Sequence, residues 1–258
     1  GTGTLRTPSG GGWQKTSGGF YQSAFSCRSR NTPATVPGGQ GVSFPVLTGF
    51  LTMQHAAAQI AETFLARIDA DWARLVEQVG PYAPQFTPAY APYAALIRAI
   101  THQQLQTRVA HLILERFLAC FSGEAFPAPE AILALDPGVL RACGLSQAKV
   151  VAIRGVAEAA LSGQVPTRAQ ALVASDMDLI ERLTCLRGIG RWTVEMFLLE
   201  NLQRPDVLPA DDFGVRQGYR RLKGLEVAPG AAQLRRIGLA WQPYRSAAAW
   251  YLWRVPPE

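Results

Sequence analysis

The chain has 258 residues, of which 48% are hydrophobic and 9% aromatic, enough apolar material for one large or two small packed domains. Polar or charged residues interrupt every apolar run well before about 18 positions, so no membrane-spanning helix is expected. The formal net charge of +6 suits a polyanionic partner without requiring one, and the four cysteines form no C-x-x-C pair, which argues against a structural zinc site or a disulfide framework.

The first segment, residues 1–52, is crowded with Gly, Ser, Thr and Pro, carries no acidic residue and shows no sustained apolar period. This composition is typical of disorder. We therefore predict a disordered tail, or an added or upstream segment, before a folded domain over 53–258. The segment lacks a continuous apolar core region of the kind found in secretory signals, so a signal peptide is not expected.

From His55 onward, apolar residues recur at three- and four-residue steps, the period of amphipathic helices. One helix is predicted up to a stop at Gly80, and a long one over 93–118. Shorter helices separated by Gly and Pro turns are predicted over 129–134, 137–143, 147–161, 176–186, 191–201, 212–222, 229–239 and 243–253. Strand-like alternation is missing, so the fold is predicted to be all-α and two-lobed. The lobes are expected at roughly 92–203 and at 53–91 plus 204–258.

The segment L-R-G-I-G-R-W-T at 186–193 places a G-x-G turn between two predicted helices. Gly188 and Gly190 permit positive φ and a close backbone approach. Their amides, with those of the next helix at Arg191 and Thr193, can therefore face a DNA phosphate, a contact that reads the backbone and not the base sequence. A glycine-rich connection between helices is also common, so the turn alone leaves a purely structural role open.

A second motif, L-P-A-D-D-F at 208–213, places two carboxylates at the start of a predicted helix. Capping the helix explains one of them, because Asp is a favoured N-cap residue. The second is less easily explained, since adjacent like charges near a phosphate-binding turn raise the electrostatic energy. The pair Asp211 and Asp212 is therefore a candidate for chemistry.

Together these motifs resemble the helix-hairpin-helix DNA glycosylase superfamily, and within it the 3-methyladenine DNA glycosylase II family. Further matching segments are A-I-T-H-Q-Q-L at 99–105, C-G-L-S at 143–146 before Lys149, and P-Y-R-S at 243–246 before Trp253. The resemblance extends over residues 55–254. The family's N-terminal β-rich domain is not evident, so the chain resembles a short form with the two-lobed helix-hairpin-helix fold.

The resemblance implies a monofunctional DNA glycosylase of base excision repair, which flips an alkylated base such as 3-methyladenine out of duplex DNA and hydrolyses its N-glycosidic bond. Asp212 matches the family's catalytic carboxylate, and Asp211 is expected to cap the helix or support it. Trp192 stands where lyase-competent members carry a Schiff-base lysine, so no lyase activity is expected. No cysteine follows Cys185, so no iron-sulfur cluster is expected and no cofactor is required.

The same resemblance assigns the surroundings of the flipped base. Trp192, Met196 and Trp253 are expected to form the base pocket, where electron-rich indole faces attract a cationic base. Met196 departs from the family, which often has Tyr there, and provides a soft, polarizable wall. Gln104, with Leu105 second, is expected to fill the gap left in the duplex.

The resemblance also suggests a structural sodium or potassium ion at the G-x-G turn. The backbone carbonyls of Thr184, Leu186 and Ile189 would hold it. The expected partner is damaged double-stranded DNA, without a membrane. A monomer is expected, located in the cytoplasm and associated with the nucleoid if the source is bacterial.

Two other functions remain open at this point. In a non-catalytic helix-hairpin-helix DNA-binding module, Gly188 and Gly190 would suffice and Asp212 would only cap a helix. A glycosylase for mismatched or oxidised bases would need polar partners for a neutral leaving base. His102, Gln103 and Glu195 are too few polar residues to decide that question from the sequence.

Overall fold

The computed structural model describes residues 45–84, 90–123 and 126–256, and within these ranges every regular element is helical. The predicted all-α fold class is confirmed for this part of the chain. The α-helices are α1 (Pro45–Ala66), α2 (Ala70–Val79), α3 (Pro92–His102), α4 (Thr107–Ala119), α5 (Pro129–Ala134), α6 (Pro137–Ala142), α7 (Gln147–Leu161), α8 (Arg168–Val173), α9 (Asp176–Thr184), α10 (Arg191–Met196), α11 (Phe213–Leu222), α12 (Ala231–Ile237) and α13 (Arg245–Leu252). A π-helical turn, Phe197–Asn201, prolongs α10, and a 3-10 turn, Gly238–Trp241, follows α12. In the described ranges no helix has both the length and the apolar character needed to cross a bilayer.

The first helix begins earlier than the sequence predicts. Residues 1–44 of the predicted disordered tail lie outside the described residues, but α1 starts at Pro45 and not near His55. Proline suits the first turn of a helix, because the amide it lacks would have had no partner there. In the structure, residues 45–52 form the first turns of α1, whereas the sequence pattern places them in the N-terminal tail.

The helices bury two separate hydrophobic cores, which give the molecule its two lobes. The first core is built from α3 to α10 and includes Ile100, Phe117 and Ile153, all fully buried. The second combines α1 and α2 with α11, α12 and α13 around Trp72 and Trp241. One lobe is thus a continuous stretch of chain, and the other joins two stretches that are distant in sequence.

The predicted helix over 93–118 is wrong, because the chain leaves the helical path between α3 and α4. Gln104 lies in this break with a φ of 56°, in the left-handed region. Leu105 still packs against the first core after the break. The apolar period therefore continues through the interruption, which is why the sequence pattern does not reveal it.

Candidate active site

Asp212 is the N-cap residue of α11 and binds three N–H donors. Its Oδ1 accepts the amide of Val215 at 2.9 Å and the indole Nε1–H of Trp253 at 2.8 Å. Its Oδ2 accepts the indole Nε1–H of Trp192 at 2.9 Å. Hydrogen bonds to a charged acceptor are roughly twice as strong as neutral ones. The three donors therefore fix the orientation of this half-buried carboxylate.

Both lobes contribute to this cluster. Trp192 lies in the first turn of α10, whereas Trp253 directly follows α13 and packs against the second core. Asp212 lies between them at the start of α11. The three residues expected to act on the sugar and the base are thus brought together, although they are far apart in sequence.

Gly214 is a residue of this site that the sequence did not single out. A Cβ atom at this position would lie 2.9 Å from Trp253 Cδ1 and 3.1 Å from Asp212 Oδ1. The first distance is shorter than real Cβ contacts allow, and the tryptophan is held by its own hydrogen bond. A side chain at 214 would therefore displace the indole from the carboxylate.

Met196 is four residues after Trp192 on α10, and side chains at this spacing share one face of a helix. Both are half-buried. An indole N–H lies in the plane of its ring, so a hydrogen bond to Asp212 engages the ring edge. The faces of Trp192 and Trp253 are not used by these bonds.

Asp211 does not cap the helix, so the capping half of the expectation for this residue is wrong. Its side chain is 46% exposed and forms an ion pair with Arg235 of α12. A capping carboxylate accepts the amide of the second or third helical residue. In α11 the capped amide is the third. Because α11 begins at Phe213, that amide belongs to Val215, and Asp212 is the residue that reaches it.

The G-x-G turn connects α9 with α10. Gly188 has a φ of +83°, and a Cβ there would lie 2.7 Å from the Cβ of Ala152 on α7. Gly190 does not have the expected positive φ, since its φ is −88°. A Cβ on Gly190 would meet nothing within 4 Å, and no side chain caps α10. The two glycines therefore serve different purposes: the first permits the turn, and the second leaves open space at the start of α10.

Of the other two residues assigned to phosphate binding, one is exposed and one is buried. Arg191 is 43% exposed at its side chain and donates from Nε to Glu195 Oε1 at 2.8 Å. Burial raises the pKa of the Glu195 carboxyl, although this guanidinium acts in the opposite direction. Thr193 is buried, and its hydroxyl accepts a hydrogen bond from Gln103. The side chain of Thr193 is therefore not placed to meet a phosphate, and its assignment depends on the backbone amide alone, as the sequence predicts.

The carbonyls expected to hold a monovalent cation lie at the end of α9 and in the following turn. The Leu186 carbonyl accepts the Ile189 amide at 3.1 Å, and Thr184 is the last residue of α9. A carbonyl oxygen has two lone pairs, so this hydrogen bond is compatible with an ion on Leu186. Among the residues that the structure describes, no group of three or more His, Cys, Asp or Glu side chains could hold a metal ion. The carbonyl site stays a prediction.

The two residues assigned to the gap in the duplex differ in exposure. Gln104 is exposed at the turn between α3 and α4, whereas Leu105 is half-buried against the first core. Gln104 therefore projects from the surface and Leu105 anchors the turn. Two side chains to which the sequence gave no role in filling the gap contact this turn or extend from it. Lys149 donates to the Gln103 carbonyl, and Gln103 donates to the carbonyl of Gly188 in the G-x-G turn.

Comparisons with known proteins give a consistent result. The model of the family described as HhH-GPD superfamily base excision DNA repair protein matches residues 97–243. DNA-3-methyladenine glycosylase 1 of Schizosaccharomyces pombe is 44% identical over 196 residues, which are 76% of this chain and 86% of that protein. DNA-3-methyladenine glycosylase 2 of Escherichia coli is 33% identical over 160 residues, 61% of this chain and 52% of that protein. The solved structure of the S. pombe 3-methyladenine DNA glycosylase in complex with abasic DNA has a TM-score of 0.71 and 44% identity, and covers 75% of this chain and 95% of the solved one.

Proposed function

The chain belongs to the HhH-GPD superfamily of base excision DNA repair proteins, and from this premise we propose that it is a DNA glycosylase acting on alkylated bases such as 3-methyladenine in duplex DNA. The observation that carries the proposal is the Asp212 carboxylate held between the indoles of Trp192 and Trp253. A helix cap alone requires only the bond to Val215. The two further donors point to a carboxylate held for a reaction.

The chemistry follows from the charge of the leaving group. An alkylated purine is already cationic, so it leaves the sugar without much help from a general acid. The reaction then needs a negative charge to offset the oxocarbenium character that develops on the deoxyribose, and an oxygen to orient or deprotonate the attacking water. Asp212 performs both tasks in the proposed mechanism.

The hydrogen bonds distinguish the two oxygens of this carboxylate. An ionised carboxylate offers about four lone-pair positions, two on each oxygen. Oδ1 of Asp212 accepts two donors, from Val215 and Trp253, whereas Oδ2 accepts one donor, from Trp192, among the described residues. Oδ2 is therefore the oxygen that we assign to the water and the developing sugar cation.

The indoles favour a cationic base over a neutral one. Both Nε1–H groups donate to Asp212, so these bonds must be given up before either indole can donate to a polar edge of the base. These bonds engage the edges of the rings and not their faces, and an aromatic face attracts a cation. This arrangement supports alkylated bases as substrates over mismatched or oxidised ones.

The lysines support hydrolysis without strand cleavage. The described lysines are Lys149, whose ammonium donates to two backbone carbonyls, and Lys223, which pairs with Asp69 and Asp71. A Schiff base requires a free neutral amine at the sugar carbon. Trp192 occupies the position where lyases of the superfamily carry that amine, so we propose a monofunctional enzyme.

The DNA contacts follow the same assignment. Gly188, Gly190 and Arg191 would face a phosphate, with a monovalent cation on the adjacent carbonyls, and Gln104 would fill the gap left by the flipped base. Neither the phosphate contact nor the cation takes part in bond cleavage. A monomeric protein located in the cytoplasm stays the expectation.

Release of 3-methyladenine from alkylated duplex DNA tests the proposal directly. Under single-turnover conditions with excess enzyme, the wild-type protein should release this base and leave an intact abasic strand. Duplexes with 8-oxoguanine or a mismatch serve as matched substrates. Binding to all duplexes without release of any base would instead identify a DNA-binding module.

A further inference from the structure

The turn that carries Gln104 is held from the α7 side by Lys149. Its Nζ donates to the carbonyl of Thr101 at 2.9 Å and to the carbonyl of Gln103 at 2.8 Å. These carbonyls belong to the C-terminal end of α3, where a cation also complements the partial negative charge of the helix. The ammonium thus replaces the amide partners that these carbonyls lose where α3 ends.

The same turn is tied to the G-x-G turn by Gln103. Its Nε2 donates to the carbonyl of Gly188 at 3.0 Å and to the hydroxyl of Thr193 at 3.3 Å. Gly188 lies in the turn assigned to phosphate, and Thr193 is buried behind it. A single side chain therefore connects the residue preceding Gln104 with the turn expected to grip the DNA backbone.

Gln104 itself has a backbone conformation that needs such support. Its φ of 56° is unusual for a residue other than glycine, and residues held in sparsely populated regions persist where their surroundings fix them. Gln104 is exposed, so its own side chain is not buried in a core. The contacts that fix it belong to its neighbours: Leu105 packs against the first core, and Gln103 and Lys149 form the hydrogen bonds described above.

We propose that Lys149 and Gln103 are positioning residues for base flipping, which hold the Gln104 turn in its inserting conformation and tie it to the phosphate-binding turn. In consequence, binding of the DNA backbone by the G-x-G turn and insertion of Gln104 into the duplex occur as one step. The inference rests on the proposed function, and specifically on Gln104 as the inserting residue. Neither positioning residue touches the reacting atoms.

The test compares insertion with simple binding. Lys149→Met removes the ammonium but keeps the stem, and Gln103→Met removes the N–H donor at similar length. Insertion is followed by the fluorescence of 2-aminopurine placed beside an abasic-site analogue, and affinity by titration of undamaged duplex. Both variants should lower the equilibrium of insertion by about tenfold, as expected for loss of hydrogen bonds to or from a charged or buried group, while affinity for undamaged duplex stays close to wild type.

Two control variants distinguish the loss of an ammonium at position 149 from the loss of a positive charge elsewhere in the protein. Lys223→Met also removes an ammonium with two partners, but far from the turn in sequence and on the second lobe, and it should leave insertion unchanged. Lys149→Arg keeps donors at the same place and should restore part of the insertion. Circular dichroism establishes that each variant is folded, and Gln103→Met keeps the test valid should Lys149→Met fail to fold.

Variants in a Gln104→Ala background complete the test. If the positioning residues act through Gln104, Lys149→Met should add little to the loss that Gln104→Ala already causes. Normal insertion by Gln104→Ala would remove Gln104 from its proposed role. If Gln104→Ala lowers insertion but Lys149→Met and Gln103→Met insert like the wild type, this inference is overturned while the proposed function stands. The inference is also overturned if Lys149→Met causes its full loss again in the Gln104→Ala background.

Discussion

Trp192 Nε1 donates to Asp212 Oδ2 at 2.9 Å, a hydrogen bond that joins α10 of one lobe to the start of α11 in the other. The elements around the two residues belong to different hydrophobic cores. The position of the carboxylate relative to the proposed base pocket therefore depends on how the lobes pack. Changes at either end of this bond should affect the reaction more than the fold.

Asp212→Asn should keep the fold, because asparagine caps helices as well as aspartate does. Base release should fall by at least about two orders of magnitude, since the charge that offsets the oxocarbenium ion is lost and the new amide cannot accept from both indoles. Single-turnover release of 3-methyladenine measures the effect. Asp211→Asn is the matched control and should be mild, because Asp211 is exposed and pairs with Arg235. The reverse order of effects would show that Asp211 is the catalytic carboxylate.

Trp192→Phe and Trp192→Ala should separate the two tasks of this indole. Phenylalanine keeps an aromatic face but removes the donor to Asp212, so it should retain damaged-base binding and slow base release. Alanine should also lose about 1 to 3 kcal/mol of base retention, the usual scale for stacking on an aromatic side chain. The measurements are single-turnover release, and titration of duplexes with and without a non-cleavable lesion. Equal base retention by the two variants would contradict stacking on Trp192.

Gly188→Ala and Gly190→Ala should differ, although the residues are two positions apart. Alanine at 188 meets Ala152 at 2.7 Å and requires a positive φ, so thermal unfolding should show a loss of about 1 to 3 kcal/mol. Alanine at 190 has space and an ordinary φ, so stability should be retained while affinity for damaged and undamaged duplex falls alike. Titrations at several salt concentrations provide the comparison. Unchanged binding by Gly190→Ala would argue that its open space is not used by DNA.

Borohydride should trap no covalent complex between the protein and DNA during base release. The reason is the absence of a lysine at position 192 and the engagement of Lys149 and Lys223 in hydrogen bonds. The assay uses labelled duplex, with denaturing electrophoresis of reduced and unreduced samples. An adduct that maps to a lysine would replace the hydrolytic mechanism with a lyase mechanism.

The sequence reveals those features that depend on local pattern. The helical period predicts most helices, and the G-x-G and D-D motifs indicate where the site lies. The period does not reveal the break between α1 and α2, which the sequence predicts as one helix, and it misses α8, which is short and begins with a capping box formed by Thr167 and Gln170. Which of Asp211 and Asp212 caps α11 depends on the first residue of the helix, and a sequence pattern does not define a helix end to one residue.

Contacts between distant segments are the part that local pattern does not contain. Gln103 donates a hydrogen bond to Gly188, and Lys149 donates one to Thr101. The members of each pair are too far apart in sequence for a helical period to relate them. The break after α3 is also hidden in the sequence, because Leu105 continues the apolar spacing of the preceding helix and packs against the same core. The family resemblance predicts that Asp212 and the two tryptophans share one site, but their hydrogen bonds depend on three-dimensional packing.

The division of the second core between the two ends of the described chain has a consequence for biosynthesis. A ribosome releases α1 and α2 first, but their apolar partners on α11, α12 and α13 emerge only after the whole first core. The continuous lobe can therefore fold during translation. Until α11 to α13 are synthesised, Leu65 and Trp72 of the first two helices remain exposed to solvent. Trp253 emerges last of the three site residues. A nascent chain would thus possess the turn proposed to contact DNA before it could cleave a glycosidic bond, and chaperone contact during synthesis should concentrate on the first two helices.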